Sequence, residues 1–337
     1  MSLVSSSRSV QGSLDVDVSR GRVYTTNHDD IKLYGFSGQG DVYSPSGLEY
    51  LNRIPVVRSW DGSKVSPDDL HLYGGGDSVL MLDAGREDTV FKLDVERGVV
   101  TGGSRVHTRF EGGRGLEGSS YDDVSFKVGR FDYNNAGQYA QYDKCVVAVN
   151  SNHVMRVCLA DGSLVGSKAY ERGPGFTCVA TDVRGNVIVG DKGGGVRLFP
   201  DVGKRAAKFF SGLGDPVTDV KVSSSGCIVA TTPFYIVYLP DFVLGSEVSH
   251  VVGKVSPEII KHLGLGGYAV RHAQFSPDEK ALVFSIGNFV FHWGVRDLVK
   301  GEQTFEVYEA ESTVVHHKVV GGQFVLADKS VVVFKLK

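Results

Sequence analysis

Between Phe176 and Asp241 the chain runs twice through one short arrangement. "FTCVATD" (176–182) reads as a strand, "RGN" as a turn, "VIVGD" as the next strand, "KGGG" as a turn and "VRLFP" as a third strand. "AAKFFSG" (206–212) supplies a fourth strand. The pattern then restarts with "VTDVKV" (217–222), the turn "SSSG", "CIVATT" (227–232) and "YIVYLPD" (235–241). Short apolar runs punctuated by glycine fit strands and tight turns, not helices. A tandem four-stranded repeat is the signature of a β-propeller.

Similar units lie along the rest of the chain: residues 14–36, 70–100, 144–166, 268–293 and 314–336. The expectation is an all-β, WD-like, seven-bladed β-propeller forming one domain over residues 1–337. Its blades start near residues 14, 70, 126, 176, 217, 268 and 314. A ring of blades also accommodates 337 residues, because it grows by neighbour contacts where a single layered core stops near ~300 residues. The last unit ends after three strands at Lys337, and "SLVSSSRSV" has no partner of its own. The N-terminal stretch is therefore expected to close the last blade and remove its open edge. One helix is expected over "SPEIIKHLG" (256–264), capped by Ser256, with Pro257 in the first turn and Gly264 at its end.

The three glycines of "VIVGDKGGGVRLFP" (187–200) raise the question of a phosphate-binding loop. Such a loop needs G-x-x-x-x-G-K-[ST], a strand before it and a helix after it. Here Lys192 precedes the glycines and a strand follows, so a hairpin turn with positive φ at glycine is the expectation. "GLGDPV" (212–217) reads as the turn into the next blade.

Composition narrows the function. With 42% hydrophobic and 22% charged residues and a net charge of −3, the chain has material for a large core and no overall pull toward nucleic acid or anionic lipid. No apolar run reaches the ~18 residues of a membrane span. Cys145, Cys158, Cys178 and Cys227 are 13, 20 and 49 positions apart, which is not metal-knuckle or dithiol spacing. They read as small buried thiols in a reducing compartment, and the expected location is the cytoplasm.

Within this frame, "VTDVKVSSSG" and "VRHAQFSPDEKALVFS" resemble the first strand and Ser-Pro-Asp turn of WD-type repeats, although neither segment carries a Gly-His opening or a Trp-Asp close. A closer resemblance emerges from three segments taken in order: 77–100, 185–241 and 273–293. Together they resemble the C-terminal domain of the vacuolar import and degradation protein twenty-seven family. The middle segment is the most specific, with the glycine turn, Arg197, the run Leu213-Gly214-Asp215-Pro216 and a strand ending in Ala-Thr. The resemblance covers most of residues 70–337. It implies a cytoplasmic WD-like propeller without known chemistry, linked to delivery of a cytosolic enzyme for vacuolar breakdown. Larger members carry an additional N-terminal region.

Catalytic and metal signatures are sought without result. "NHDD" (27–30) falls in a turn. His316 and His317 are neighbours on a strand and point to opposite sides, so they do not simply share a metal. No G-x-S-x-G elbow occurs. The expectation is a monomeric scaffold with no catalytic residue, metal or cofactor, which binds a protein partner but neither nucleic acid nor membrane. Asp191, Lys192, Arg197 and Asp215 are its candidate partner-binding residues, placed on one face by the turn leaving the second strand and the turn entering the next blade. The alternative is a propeller hydrolase of lactonase or glycosidase type, with ionisable residues converging on the central channel.

Overall fold

Strands with apolar side chains on both faces must be covered twice. The middle strands of this chain have that character: "SVLMLD", "VIVGD" and "ALVFSI" are buried at every position. A sheet built on them is stable only between two other sheets. The computed structural model shows this arrangement. It describes residues 13–17, 20–27, 30–36, 48–55, 59, 61–73, 76–83, 86–106, 130–133, 145–245, 247–310, 312–320, 323–327 and 331–335.

The first sheet holds β1 (Leu14–Asp17), β2 (Arg22–Asn27), β3 (Asp30–Phe36) and β4 (Leu48–Pro55). The second holds β5 (Pro67–Tyr73), β6 (Ser78–Asp83), β7 (Arg86–Asp94) and β8 (Val99–Arg105). The third holds β9 (Arg130–Tyr133), β10 (Cys145–Val149), β11 (His153–Cys158) and β12 (Leu164–Ala169). The fourth holds β13 (Phe176–Thr181), β14 (Val187–Asp191), β15 (Val196–Phe199) and β16 (Lys208–Phe210). The fifth holds β17 (Asp219–Val222), β18 (Ile228–Thr231), β19 (Ile236–Leu239) and β20 (Val251–Gly253). The sixth holds β21 (Val270–Phe275), β22 (Ala281–Ile286), β23 (Phe289–Gly294) and β24 (Phe305–Glu309). The last comprises only β25 (His316–Val320), β26 (Gln323–Ala327) and β27 (Val331–Lys335). Neighbours in every sheet are antiparallel, as in β14 with β15, where Val189 faces Arg197.

The structure corrects the expected seven-bladed count. It is an all-β propeller with six complete four-stranded blades, and its final unit is a three-stranded sheet. The physical reason is that β27 gains no fourth strand among the described residues, so this unit does not make a complete blade. The N-terminal strand expected to close it falls on residues 1–12, which lie outside the described residues.

The cores lie between sheets. Ile188, Leu198, Val220, Ile228 and Phe242 pack the fourth sheet on the fifth. Phe284, Phe291, Trp293 and Leu298 pack the sixth on Val229 and Tyr238 of the fifth. A second contact recurs at the sheet junctions. The turn after the second strand of one sheet accepts a hydrogen bond from the amide that opens the next. Phe176 N donates to Ser151 O at 3.0 Å, Val217 N to Asp191 O at 3.0 Å, Val270 N to Pro233 O at 3.0 Å and Val314 N to Gly287 O at 2.8 Å.

Helix α1 (Pro257–His262) forms where expected, with the Ser256 side chain accepting from Ile259 N at 3.4 Å. A second helix, α2 (Val295–Lys300), was not expected. Its six residues follow β23 without a side-chain cap, and it is held by burial of Leu298 rather than by a local signal. All four cysteines are free; Cys145 and Cys178 are buried. Burial pushes the Cys178 thiol up to about 12, which makes it inert as a nucleophile.

Candidate functional site

The glycine turn is an Asx-type structure. Asp191 is buried and its Oδ1 accepts from Gly193 N at 2.9 Å and Gly195 N at 2.8 Å. Of the three glycines only Gly194 has positive φ, at 87°. The backbone N–H groups that a phosphate would use are thus already satisfied by a carboxylate. Oδ2 of the same carboxylate takes the Arg197 guanidinium in an ion pair. The guanidinium lies 4.3 Å from the Phe209 ring centroid, 5.6 Å from Phe176 and 5.8 Å from Tyr170. Arg197 is therefore a brace across the hairpin, with a side chain only 16% exposed.

The turn meets the next connection directly. Gly214 N donates to Gly193 O at 3.2 Å, and Val217 N to Asp191 O at 3.0 Å. Lys192 is exposed, and Asp215 is half-buried. Beyond Asp215 lies Tyr235; burial pushes its phenol up, and the Asp215 carboxylate beside it adds to the effect. Thr232 holds the turn into β19, its hydroxyl donating to Tyr235 O at 2.8 Å. Leu213, Phe234 and Tyr268 stand 49%, 61% and 51% exposed on this run of turns. The structure thus brings Asp191, Lys192 and Asp215 to adjoining turns, with Arg197 on β15 bracing Asp191, and adds three apolar side chains that the charge-based sequence reading missed. Their signal was present: an aromatic or leucine inside a Gly/Pro turn, as in "PFY" and "GLGD".

A second feature is a cavity of about 470 Å³, lined chiefly by residues of β1, β5, β13, β17, β21 and β25 and by Pro233. Sequence reading left it unresolved. Asp15, His71, Asp219, His272, His316, His317 and Lys318 line it. Each sits on a unit's first strand, and that recurrence was the available signal. Lys318 forms an ion pair with Asp15, joining the last sheet to the first. Burial alone would raise the Asp15 pKa, but Lys318 and His71 outweigh it and hold the group below its ordinary value. Asp219 lies 3.3 Å from Lys221 Nζ and 3.3 Å from His272 Nδ1. Against the cost of burial, Lys221 and His272 hold its carboxyl well below the usual range. The His272 and His316 rings lie 4.6 Å apart, tilted by 31°. His317 is buried behind them, and desolvation, reinforced by His272, pushes its pKa down to about 3. Among the described residues no group of three or more His, Cys, Asp or Glu could hold a metal ion.

Four-stranded antiparallel sheets set around a polar channel and joined by turns define a WD40-like propeller. The chain belongs to the VID27 C-terminal WD40-like domain family, whose model matches residues 10–247. Vacuolar import and degradation protein 27 of Schizosaccharomyces pombe (strain 972 / ATCC 24843) is 23% identical over 283 residues, covering 76% of this chain and 33% of that protein. The Saccharomyces cerevisiae (strain ATCC 204508 / S288c) protein of the same name is 21% identical over 323 residues, covering 85% of this chain and 38% of that protein. The chain thus spans between 33% and 38% of the length of these curated relatives. Among solved structures, a chain of "Crystal Structure of Mitotic Checkpoint Complex" matches with a TM-score of 0.65 at 11% identity, over 96% of this chain and 86% of that one. The "Crystal structure of Myceliophteria_thermophila Cps50 (Swd1) beta-propeller domain" matches with a TM-score of 0.62 at 11% identity, over 96% and 95%. At that identity these likenesses show the fold alone. No described helix is long and apolar enough to cross a membrane.

Proposed function

We propose that the chain is a non-catalytic, cytoplasmic interaction scaffold that acts as a monomer and docks a protein partner on the face around Lys192, Leu213, Asp215, Phe234 and Tyr268. The observation that carries this reading is the set of turns, bonded in pairs at successive sheet junctions, that expose Leu213, Phe234 and Tyr268 together with Lys192. Adjoining exposed apolar side chains rimmed by charge are the composition of an interface, not of an idle surface. Asp191 and Arg197 serve it from beneath by keeping the turn rigid, which lowers the entropy lost on docking. The fitting partner presents apolar side chains with an acidic residue opposite Lys192. In keeping with the name of the curated relatives, the docking serves vacuolar import and degradation.

The channel supplies the test of the hydrolase alternative. A glycosidase pair needs one carboxylic acid that stays protonated near neutrality. Asp15 and Asp219 are both held below their ordinary values by lysines and histidines. That favours the scaffold.

Lys192→Glu combined with Phe234→Glu is expected to leave folding within about 0.5 kcal/mol per site, as for other exposed changes. Affinity capture from cytosol followed by mass spectrometry is expected to lose at least one partner relative to the unaltered protein. Recovery of the same partners in the same amounts would refute this face as the docking site.

A further inference from the structure

Among the described residues the cavity holds a cation that no carboxylate neutralises. Lys318 is paired with Asp15, and Lys221 with Asp219. Arg271, half-buried on β21, lines the same cavity and forms no ion pair among the described residues. Among the described residues, three cations thus face two carboxylates. Buried or half-buried guanidinium groups are ordinarily matched by an anion, because their desolvation is otherwise uncompensated.

The backbone shows how Arg271 reaches the cavity together with its neighbour. Successive strand residues normally face opposite sides. In β21 the register against β22 shifts between Arg271 and Gln274, and His272 has φ of 50°, in the left-handed region. Both Arg271 and His272 consequently line the cavity. A non-glycine residue with such a φ is strained and persists where the surroundings impose it; such positions cluster at ligand sites. His272 is oriented further by Asp219 at its Nδ1, 3.3 Å away, and by the His316 ring, leaving Nε2 for another partner.

We propose that the cavity binds an oxyanion group, phosphate or carboxylate, of a small molecule, with Arg271 as its charge partner and His272 as its orienting hydrogen-bond group. A volume of about 470 Å³ admits a metabolite-sized ligand.

The test is isothermal titration calorimetry of the full chain at low salt with tripolyphosphate and, separately, citrate. Saturable one-to-one binding of at least one probe is expected, and the tighter of the two identifies the source chemistry. Arg271→Gln is expected to weaken that binding about tenfold or more. Arg271→Lys, which keeps the charge but loses the planar fork, is expected to fall between the two. Lys204→Gln removes an exposed cation on an outer turn and is expected to change nothing. Circular dichroism and thermal melting establish that each variant is folded. Absence of saturable heat for both probes overturns the proposal. So does unaltered binding in folded Arg271→Gln and Arg271→Lys proteins, or an equal loss in Lys204→Gln.

Discussion

Replacing Gly194 by valine is expected to destabilise the propeller by about 3 kcal/mol or more. Two effects add. The residue sits at φ of 87°, which a β-branched side chain occupies only with about 1–3 kcal/mol of strain. A Cβ there would also lie 2.7 Å from Asp215 O, 3.2 Å from Leu213 N and 3.3 Å from Gly214 N, all backbone atoms of the adjoining connection. These atoms cannot swing aside, so the two turns must separate and the Gly214 N to Gly193 O bond is lost. Gly193→Ala is the control. Its φ is not positive, and its Cβ would meet nothing closer than an Asp191 oxygen at 3.4 Å. A cost under about 0.5 kcal/mol is expected there. Urea denaturation of both variants decides the matter; equal stabilities would mean that the turn does not pack as described. ATP and GTP are expected to leave the melting temperature of the unaltered protein where it was, since Asp191 already occupies the turn's amides.

Acidification from pH 6.5 to pH 4 is expected to cost the protein about 3 kcal/mol through His317 alone. The side chain is buried and neutral, with a pKa of about 3, while in the unfolded chain it titrates near about 6.5. Below the unfolded value the unfolded state binds a proton that the folded state refuses. Stability therefore falls as pH falls, by up to about 1.4 kcal/mol per unit, and the loss levels off near the folded value. Asp219 has a depressed pKa and acts in the same direction at lower pH: its stabilisation is present above the unfolded carboxylate value and disappears on protonation. The two are separable by window. His317→Gln can keep the contact to Val283 O, which lies 3.4 Å from the imidazole Nε2, and has no proton to take up in this range. Denaturant titrations at pH 7, 6 and 5 should show a shallower decline for this variant. A decline as steep as that of the unaltered protein would remove His317 as its cause.

How much of this was legible in the sequence follows from where the determining forces are local. The strands of 176–241 could be read because each is bounded by a turn whose geometry is written in adjacent residues, Asp182 with Asn186 or Ser223 with Gly226. Helix α1 was legible for the same reason, through Ser256 and Pro257. Helix α2 was not, because Leu298 is held by another sheet. The number of complete blades depended on whether a fourth strand pairs with β27, which no local pattern encodes. At the candidate sites, the charged turn residues could be placed from hairpin logic. That Arg197 braces Asp191 instead of reaching outward could not, because alternation states which side a residue leaves from and not where a long side chain ends. The channel cluster was hidden more deeply. Asp15 and Lys318 stand at opposite ends of the sequence, and His272 reaches the cavity only through a register shift.

The hydrogen bonds that the carbonyls of Ser151, Asp191, Pro233 and Gly287 accept from the opening amides of the following sheets bear on where this chain could be cut and rejoined. Each of these hairpins is also a seam between sheets. New termini placed there would sever a blade's own turn and its attachment to its neighbour in one stroke. The outer connection between β15 and β16 is different: Gly203 N and Lys204 N both return to Asp201, at 2.9 Å and 3.1 Å, so its bonds are spent within the loop. A circular permutant opened near Lys204 keeps every seam intact, whereas one opened at Pro233 begins life with its ring unlatched.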